Sequence, residues 1–231
     1  MKIYNLQFKF LAFFGLFLIS YFLFLTSCSA QQSPQFFVSW QANSFVPSWY
    51  EGKVFPTTGS RISIKFDLID KGIAVDLSKT TARWYINDKL VINEKNGLGI
   101  KSYSFVTNGY AGKNLSVRIS IPNYNGSVLD KVIDIPIVSP EVVINAPYSS
   151  KMVSSGKLSF EAIPFFFNIS DISKLSFLWN ANSQPTSATG NPFLNLNIDA
   201  VSGSKIDLGV LIKNISNELE TASKNIKLMV Q

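Results

Sequence analysis

Leu115-Ser116-Val117-Arg118-Ile119-Ser120-Ile121 is the stretch on which the fold turns. Aliphatic side chains alternate strictly with polar ones, so one face of an extended chain is apolar and the other is wetted. The same rhythm runs outward in both directions. Ile62, Ile64, Phe66 and Leu68 alternate with Arg61, Ser63, Lys65 and Asp67. It recurs at Ile133-Ile135-Ile137, Leu194-Leu196-Ile198, Ile206-Leu208-Val210-Ile212 and Ile226-Leu228-Val230. Half-buried strands of this kind belong to antiparallel sheets with one solvated face. Asn96-Gly97, Asn108-Gly109, Asn125-Gly126 and Ser202-Gly203 read as turns between them. No stretch beyond residue 36 carries a sustained helical period with caps, and the fold class expected is all-β.

The strands also repeat as a set. Ala82-Arg83-Trp84-Tyr85-Ile86-Asn87 precedes strands at 102–105, 115–121 and 132–138. Phe177-Leu178-Trp179-Asn180 precedes strands at 193–198, 206–212 and 226–230. Earlier strands open each set, at 37–40 and 62–68 in the first and at 142–145 and 158–163 in the second. The seam falls near Ser139-Pro140, where proline lacks the N–H a continuing strand would donate. Two tandem units are expected, 36–139 and 140–231, each near the ~100 residues usual for a β-sandwich.

On these residues the chain resembles immunoglobulin-like or PKD-like bacterial surface domains. Trp84-Tyr85-Ile86-Asn87-Asp88-Lys89 carries a middle-strand tryptophan into a turn, and Trp179 repeats the feature. The resemblance implies that Trp84 and Trp179 are structural, each filling the space between two sheets.

The first 27 residues are of another kind. Residues 10–25 hold no charge, Lys2 and Lys9 stand before them, and no acid appears until Glu51. A basic start, an apolar run and then small residues form a secretory signal or membrane-anchor helix. Cys28 is the sole cysteine, so no intramolecular disulfide can form. Leu25-Thr26-Ser27-Cys28 resembles the lipobox of bacterial lipoprotein precursors. That resemblance implies cleavage before Cys28, a diacylglycerol thioether on its sulfur and stable anchoring through several acyl chains. Two other outcomes stay open: an uncleaved anchor helix, or cleavage after Ala30 at a small-x-small site. All three place the β units outside the cytoplasm, in the cell envelope. Residues 28–35, small and nearly all uncharged polar, form a tether to the first unit.

Composition narrows the chemistry. The net charge is +6, and setting Lys2 and Lys9 aside leaves 19 basic against 15 acidic residues without a run. No clustered basic face or nucleic-acid motif is present, so nucleic acid is not an expected partner. The chain holds no histidine, which removes Ser-His-Asp and Cys-His catalysis and histidine-containing metal sites. It has no glycine-rich phosphate loop, and no cofactor is expected. The paired carboxylates a glycosidase uses could come only from Asp67, Asp70 and Asp76, or from Glu218 with Glu220 at a hairpin tip. Surface solvation accounts for both groups, and the first lacks calcium-loop spacing.

Aromatic residues supply the other candidate site. Phe45-Val46-Pro47-Ser48-Trp49-Tyr50, with Phe55, lies in an irregular segment. Trp49 and Tyr50 either form a platform for a sugar or a partner, or fold over the open end of the first sandwich. Phe165-Phe166-Phe167 breaks the period of two, so at least one ring leaves its own core; Phe166 is the contact candidate there. The reading is a non-enzymatic, lipid-anchored envelope protein acting as a binding, adhesion or assembly module. Its expected partners are the membrane, envelope glycan and other surface proteins. A structural spacer or accessory subunit of a surface appendage is the second reading, and a carboxylate-based glycan hydrolase a distant third.

Overall fold

The computed structural model describes residues 33–146 and 150–231. Cys28, the leader and the expected anchor helix lie outside the described residues. Among those residues no helix is long and apolar enough to cross a membrane, and the chain is built from strands.

The first set comprises β1 (Gln35–Ala42), β2 (Arg61–Asp70), β3 (Ile73–Ala74), β4 (Arg83–Ile86), β5 (Lys89–Ile92), β6 (Ser102–Val106), β7 (Asn114–Tyr124) and β8 (Ser127–Pro136). The second comprises β9 (Glu141–Asn145), β10 (Met152–Val153), β11 (Gly156–Phe165), β12 (Leu175–Ala181), β13 (Gln184–Thr189), β14 (Phe193–Ile198), β15 (Lys205–Asn214) and β16 (Asn217–Val230). In the first set β2 pairs with β1, β3 and β6, and the other sheet runs β5-β4-β7-β8. In the second, β14-β11-β9 accompanies β10-β16-β15-β12-β13. Consecutive strands crossing between two sheets in this order give an immunoglobulin-like sandwich, twice over. Phe37–Asp67 and Asp76–Gln231 form one compact unit, and the Leu68–Val75 hairpin belongs to a second. Within that hairpin Ile69 pairs with Ala74 and Asp70 with Ile73.

The alternation sends its apolar members inward. Ile62, Ile64 and Phe66 of β2 and Leu115, Val117, Ile119 and Ile121 of β7 are buried. Burying each such side chain contributes about 1.5–3 kcal/mol. Trp84 is wholly buried, its ring centroid 5.6 Å from Phe66 and 6.1 Å from Tyr103. Trp179 lies in the second core with Phe160, Phe177, Leu194, Val210 and Leu228. The two rings differ at their polar end. Trp179 Nε1 donates to the Asn191 carbonyl at 3.1 Å, whereas Trp84 Nε1 is buried without a partner among the described residues.

Both sandwiches use one device beside the tryptophan. Three residues on, Asn87 and Asn182 leave the strand with left-handed backbones, φ 47° and 50°. Asp88 and Ser183 follow at 62° and 63°, completing tight turns into β5 and β13. Two successive positive φ values are what a two-residue hairpin of matching twist requires. Each asparagine also latches across the sheet. Asn87 N donates to Ser116 O at 2.8 Å and its Oδ1 accepts Ser116 N at 3.0 Å. Asn182 does the same with Asp207, at 2.7 and 2.9 Å. Asparagine and aspartate tolerate the left-handed region better than most residues, but only glycine, without a Cβ, adopts it free of cost. Asp88→Gly is therefore expected to stabilise the protein by about 0.5–1 kcal/mol. Thermal melts should show a rise of about 1–4 °C. An unchanged melt would mean that Asp88 occupies the turn without strain.

Two of the four expected turns take other roles. Asn125-Gly126 joins β7 to β8 with φ 51° and 83°, and Gly203 turns at 86° ahead of β15. Gly97, however, is needed for close approach: a Cβ there would lie 2.2 Å from the Ala82 carbonyl oxygen. Asn108-Gly109 lies in the loop between β6 and β7 and joins no hairpin.

Candidate functional site

The irregular segment between β1 and β2 meets the chain leaving β11, and the candidate residues gather there. The physical cause is one backbone angle. Phe166 has φ 61°, a strained setting for a bulky residue. It reverses the side-chain alternation, so Phe167 enters the second core while Phe165 and Phe166 turn toward the β1–β2 segment. Phe45 from that segment pairs with Phe167 as an isolated antiparallel bridge. Phe45 N donates to Phe167 O and Phe166 N to Phe45 O, both at 2.6 Å. The Phe45 ring packs against the second core, so the first sandwich contributes a side chain to its neighbour.

A run of edge-to-face rings extends from this bridge. Phe55 lies 5.9 Å from Phe166, Tyr50 lies 6.1 Å from Phe166 and 5.6 Å from Phe165, and Trp49 lies 6.1 Å from Phe165. Such pairs contribute about 0.5–1.5 kcal/mol each beyond area burial. Tyr50 curls back over Gly52, where a Cβ would stand 2.4 Å from the phenol ring. On the far side of Phe55, Trp40 holds the Lys53 ammonium 3.8 Å above its ring, and that lysine also bonds the Trp40 carbonyl. Four sequence candidates, Trp49, Tyr50, Phe55 and Phe166, thus form one cluster. Phe166 is 7% exposed and Trp49 is 63% exposed. The Trp49 ring stands in water with its edge against Phe165.

Behind the rings lies a partly buried polar knot that the sequence did not advertise. Asn168 Nδ2 donates to Thr58 O at 2.7 Å, and Ser60 Oγ donates to Asn168 Oδ1 at 2.5 Å. Having given its one proton to Asn168, Ser60 must accept from Ser44 Oγ at 2.9 Å and from Thr57 N at 2.9 Å. Asn168 N in turn donates to Glu220 Oε1 at 2.7 Å, and Asn214 Nδ2 donates to Glu220 Oε2 at 2.6 Å. Ser44, Thr57, Ser60, Asn214 and Glu220 are all buried. A cleft of about 350 Å³ opens beside the knot, lined in part by Thr57, Thr58, Ser139, Asn217 and Glu220.

Among the candidate carboxylates, Glu220 departs from the solvated surface expected of it, whereas Asp67, Asp76 and Glu218 are exposed. Glu220 is 7% exposed and both its oxygens hold the joint together, so surface solvation does not describe it. Asp67 pairs with Lys101 at 3.2 Å. Asp76 accepts the backbone N–H of Ser78 at 2.9 Å and its hydroxyl at 3.0 Å, bonds that hold its carboxyl below the usual range. Among the described residues no group of three acidic, histidine or cysteine side chains is placed to hold a metal ion.

No protein-family model and no curated protein matches the chain. Solved structures do. The fibronectin(III)-like modules of Clostridium thermocellum CbhA align at 14% identity over 84% of this chain and 94% of theirs, with a TM-score of 0.30. Three N-terminal domains of the bacteriophage RB49 Highly Immunogenic Outer Capsid protein align at 14% identity over 85% and 59%, with a TM-score of 0.43. The N-terminal Ig1-2 module of the Drosophila receptor tyrosine phosphatase DLAR aligns at 13% over 87% and 100%, with a TM-score of 0.27.

Proposed function

We propose that this chain is a lipid-anchored envelope protein whose two sandwich domains, 36–139 and 140–231, present a binding or adhesion surface outside the cytoplasm. Anchoring rests on the lone Cys28 in its lipobox-like setting. Binding rests on one observation: Trp49 is held 63% exposed by a braced aromatic cluster. A large aromatic kept in water by ordered neighbours is the feature that recognition surfaces use and isolated folds avoid. The work of the domains is presentation of that ring, with no bond-making step.

The test uses intact cells. A palmitate analogue is expected to label the wild-type protein and not Cys28→Ser. Trp49→Ala is expected to weaken capture of cross-linked envelope partners by about thirtyfold, as a binding hot spot does. It should leave the fold intact, since the ring loses only an edge contact. Undiminished capture by Trp49→Ala would remove the recognition reading. The second reading, a spacer or appendage subunit, is favoured by the knotted joint, which fixes one sandwich to the next.

A further inference from the structure

A second surface feature lies on the outer face of the β13-β12-β15-β16 sheet, within the second sandwich. Asn180 of β12, Gly209 of β15 and Asn225 of β16 stand opposite one another in a single cross-strand row. Gly209 has no side chain to fill its place in that row. A Cβ there would lie 2.3 Å from Asn225 Oδ1 and 2.7 Å from Asn180 Oδ1, so the two carboxamides lean over the gap. Beside it the register between β12 and β13 slips between Leu178 and Asn180, and the edge strand swings clear. The result is a dent of about 530 Å³ lined by Ser183, Thr186 and Pro185 together with Leu178 and Leu211, which pair with each other beside the asparagine row.

Two properties of the dent select its occupant. No charged side chain lines it, so an ionic ligand would lose its hydration with no countercharge in return. Unlike Asn87 and Asn182, the Asn180 and Asn225 carboxamides make no hydrogen bond to other described residues. Each retains two donors and an acceptor, a set that matches hydroxyl groups that both give and accept protons. The two leucines offer a small apolar surface for C–H groups.

We propose that this dent binds a neutral saccharide, its hydroxyls bridged by Asn180 and Asn225, whose carboxamides have room to lean inward because Gly209 carries no side chain, and its ring seated against Leu178 and Leu211. The inference stands apart from the role given to Trp49, which lies at the joint. The same sugar could arrive as a free oligosaccharide or as part of an envelope polysaccharide, and both sources are tested.

The experiment is a nuclear magnetic resonance titration of the full chain with maltose, cellobiose and N,N′-diacetylchitobiose, with glucuronate as the charged control. Pull-down on insoluble glucan and chitin runs in parallel. At least one neutral sugar should shift the Asn180 and Asn225 side-chain amides and the Gly209 backbone amide. Asn225→Ala, a change at an exposed position, should weaken binding about tenfold. Gly209→Ala should abolish it, and Trp49→Ala should leave it unchanged. Retention on polysaccharide alone, lost in Asn225→Ala, would assign the polymer as the source; shifts with disaccharides would assign the free form. No response to any neutral probe in either arm overturns the proposal. So does binding that persists in Asn225→Ala, or stronger binding of glucuronate.

Discussion

Trp84→Ala is expected to destabilise the first sandwich by about 3–5 kcal/mol, the largest effect of any single change considered. The indole is wholly buried between the sheets, against Phe66 and Tyr103 of the facing sheet. Truncation removes its burial and leaves a cavity that two hydrogen-bonded sheets cannot close. Urea unfolding followed at a first-sandwich probe should show the loss. Trp84→Phe separates volume from polarity, because it also removes the buried, unpartnered Nε1–H. At Trp179 the corresponding N–H donates to Asn191 O, so Trp179→Phe gives up that hydrogen bond as well. Trp84→Phe should therefore cost about 1 kcal/mol less than Trp179→Phe. Equal costs would show that Trp84 Nε1 is satisfied in solution.

Glu220→Ala is the second large effect, expected at about 2–3 kcal/mol. Its carboxylate accepts Asn168 N, which is partly buried, and Asn214 Nδ2, which is buried. Removing it leaves both donors without their acceptor and frees Asn168, the residue that holds Thr58 and Ser60. The damage should therefore show as a loosened joint and not as a failed core. Wild-type protein should unfold in one transition, and Glu220→Ala in two. Glu220→Gln keeps one acceptor and should recover about half the loss. A single, undisplaced transition in Glu220→Ala would mean that the aromatic rings alone couple the sandwiches.

Period-two alternation made most strands legible, because burying one face of a strand leaves its mark in every second residue. β13 escaped for the same reason reversed. Gln184–Thr189 reads Gln-Pro-Thr-Ser-Ala-Thr and has no apolar face to alternate. The Asn182-Ser183 turn feeding it lacks the glycine that marks such turns. Asn96-Gly97 had that signature but serves a tight backbone crossing. At the joint, Phe165-Phe166-Phe167 signalled a broken face, while the left-handed Phe166 that breaks it is a property of the surroundings. Glu220 was the hardest to read. A carboxylate two residues from another near a hairpin looks solvated until its partners, 52 and 6 positions away, are brought to it.

The asparagine latch beside each tryptophan has a consequence for how such a chain can change over generations. Asn87 and Asn182 grip only main-chain atoms of their partners, so the partner's side chain is free to drift. It is serine at 116 and aspartate at 207, with the same two bonds at each. A fold secured through its backbone can differ in nearly every letter between its halves and still carry the chain along the same path.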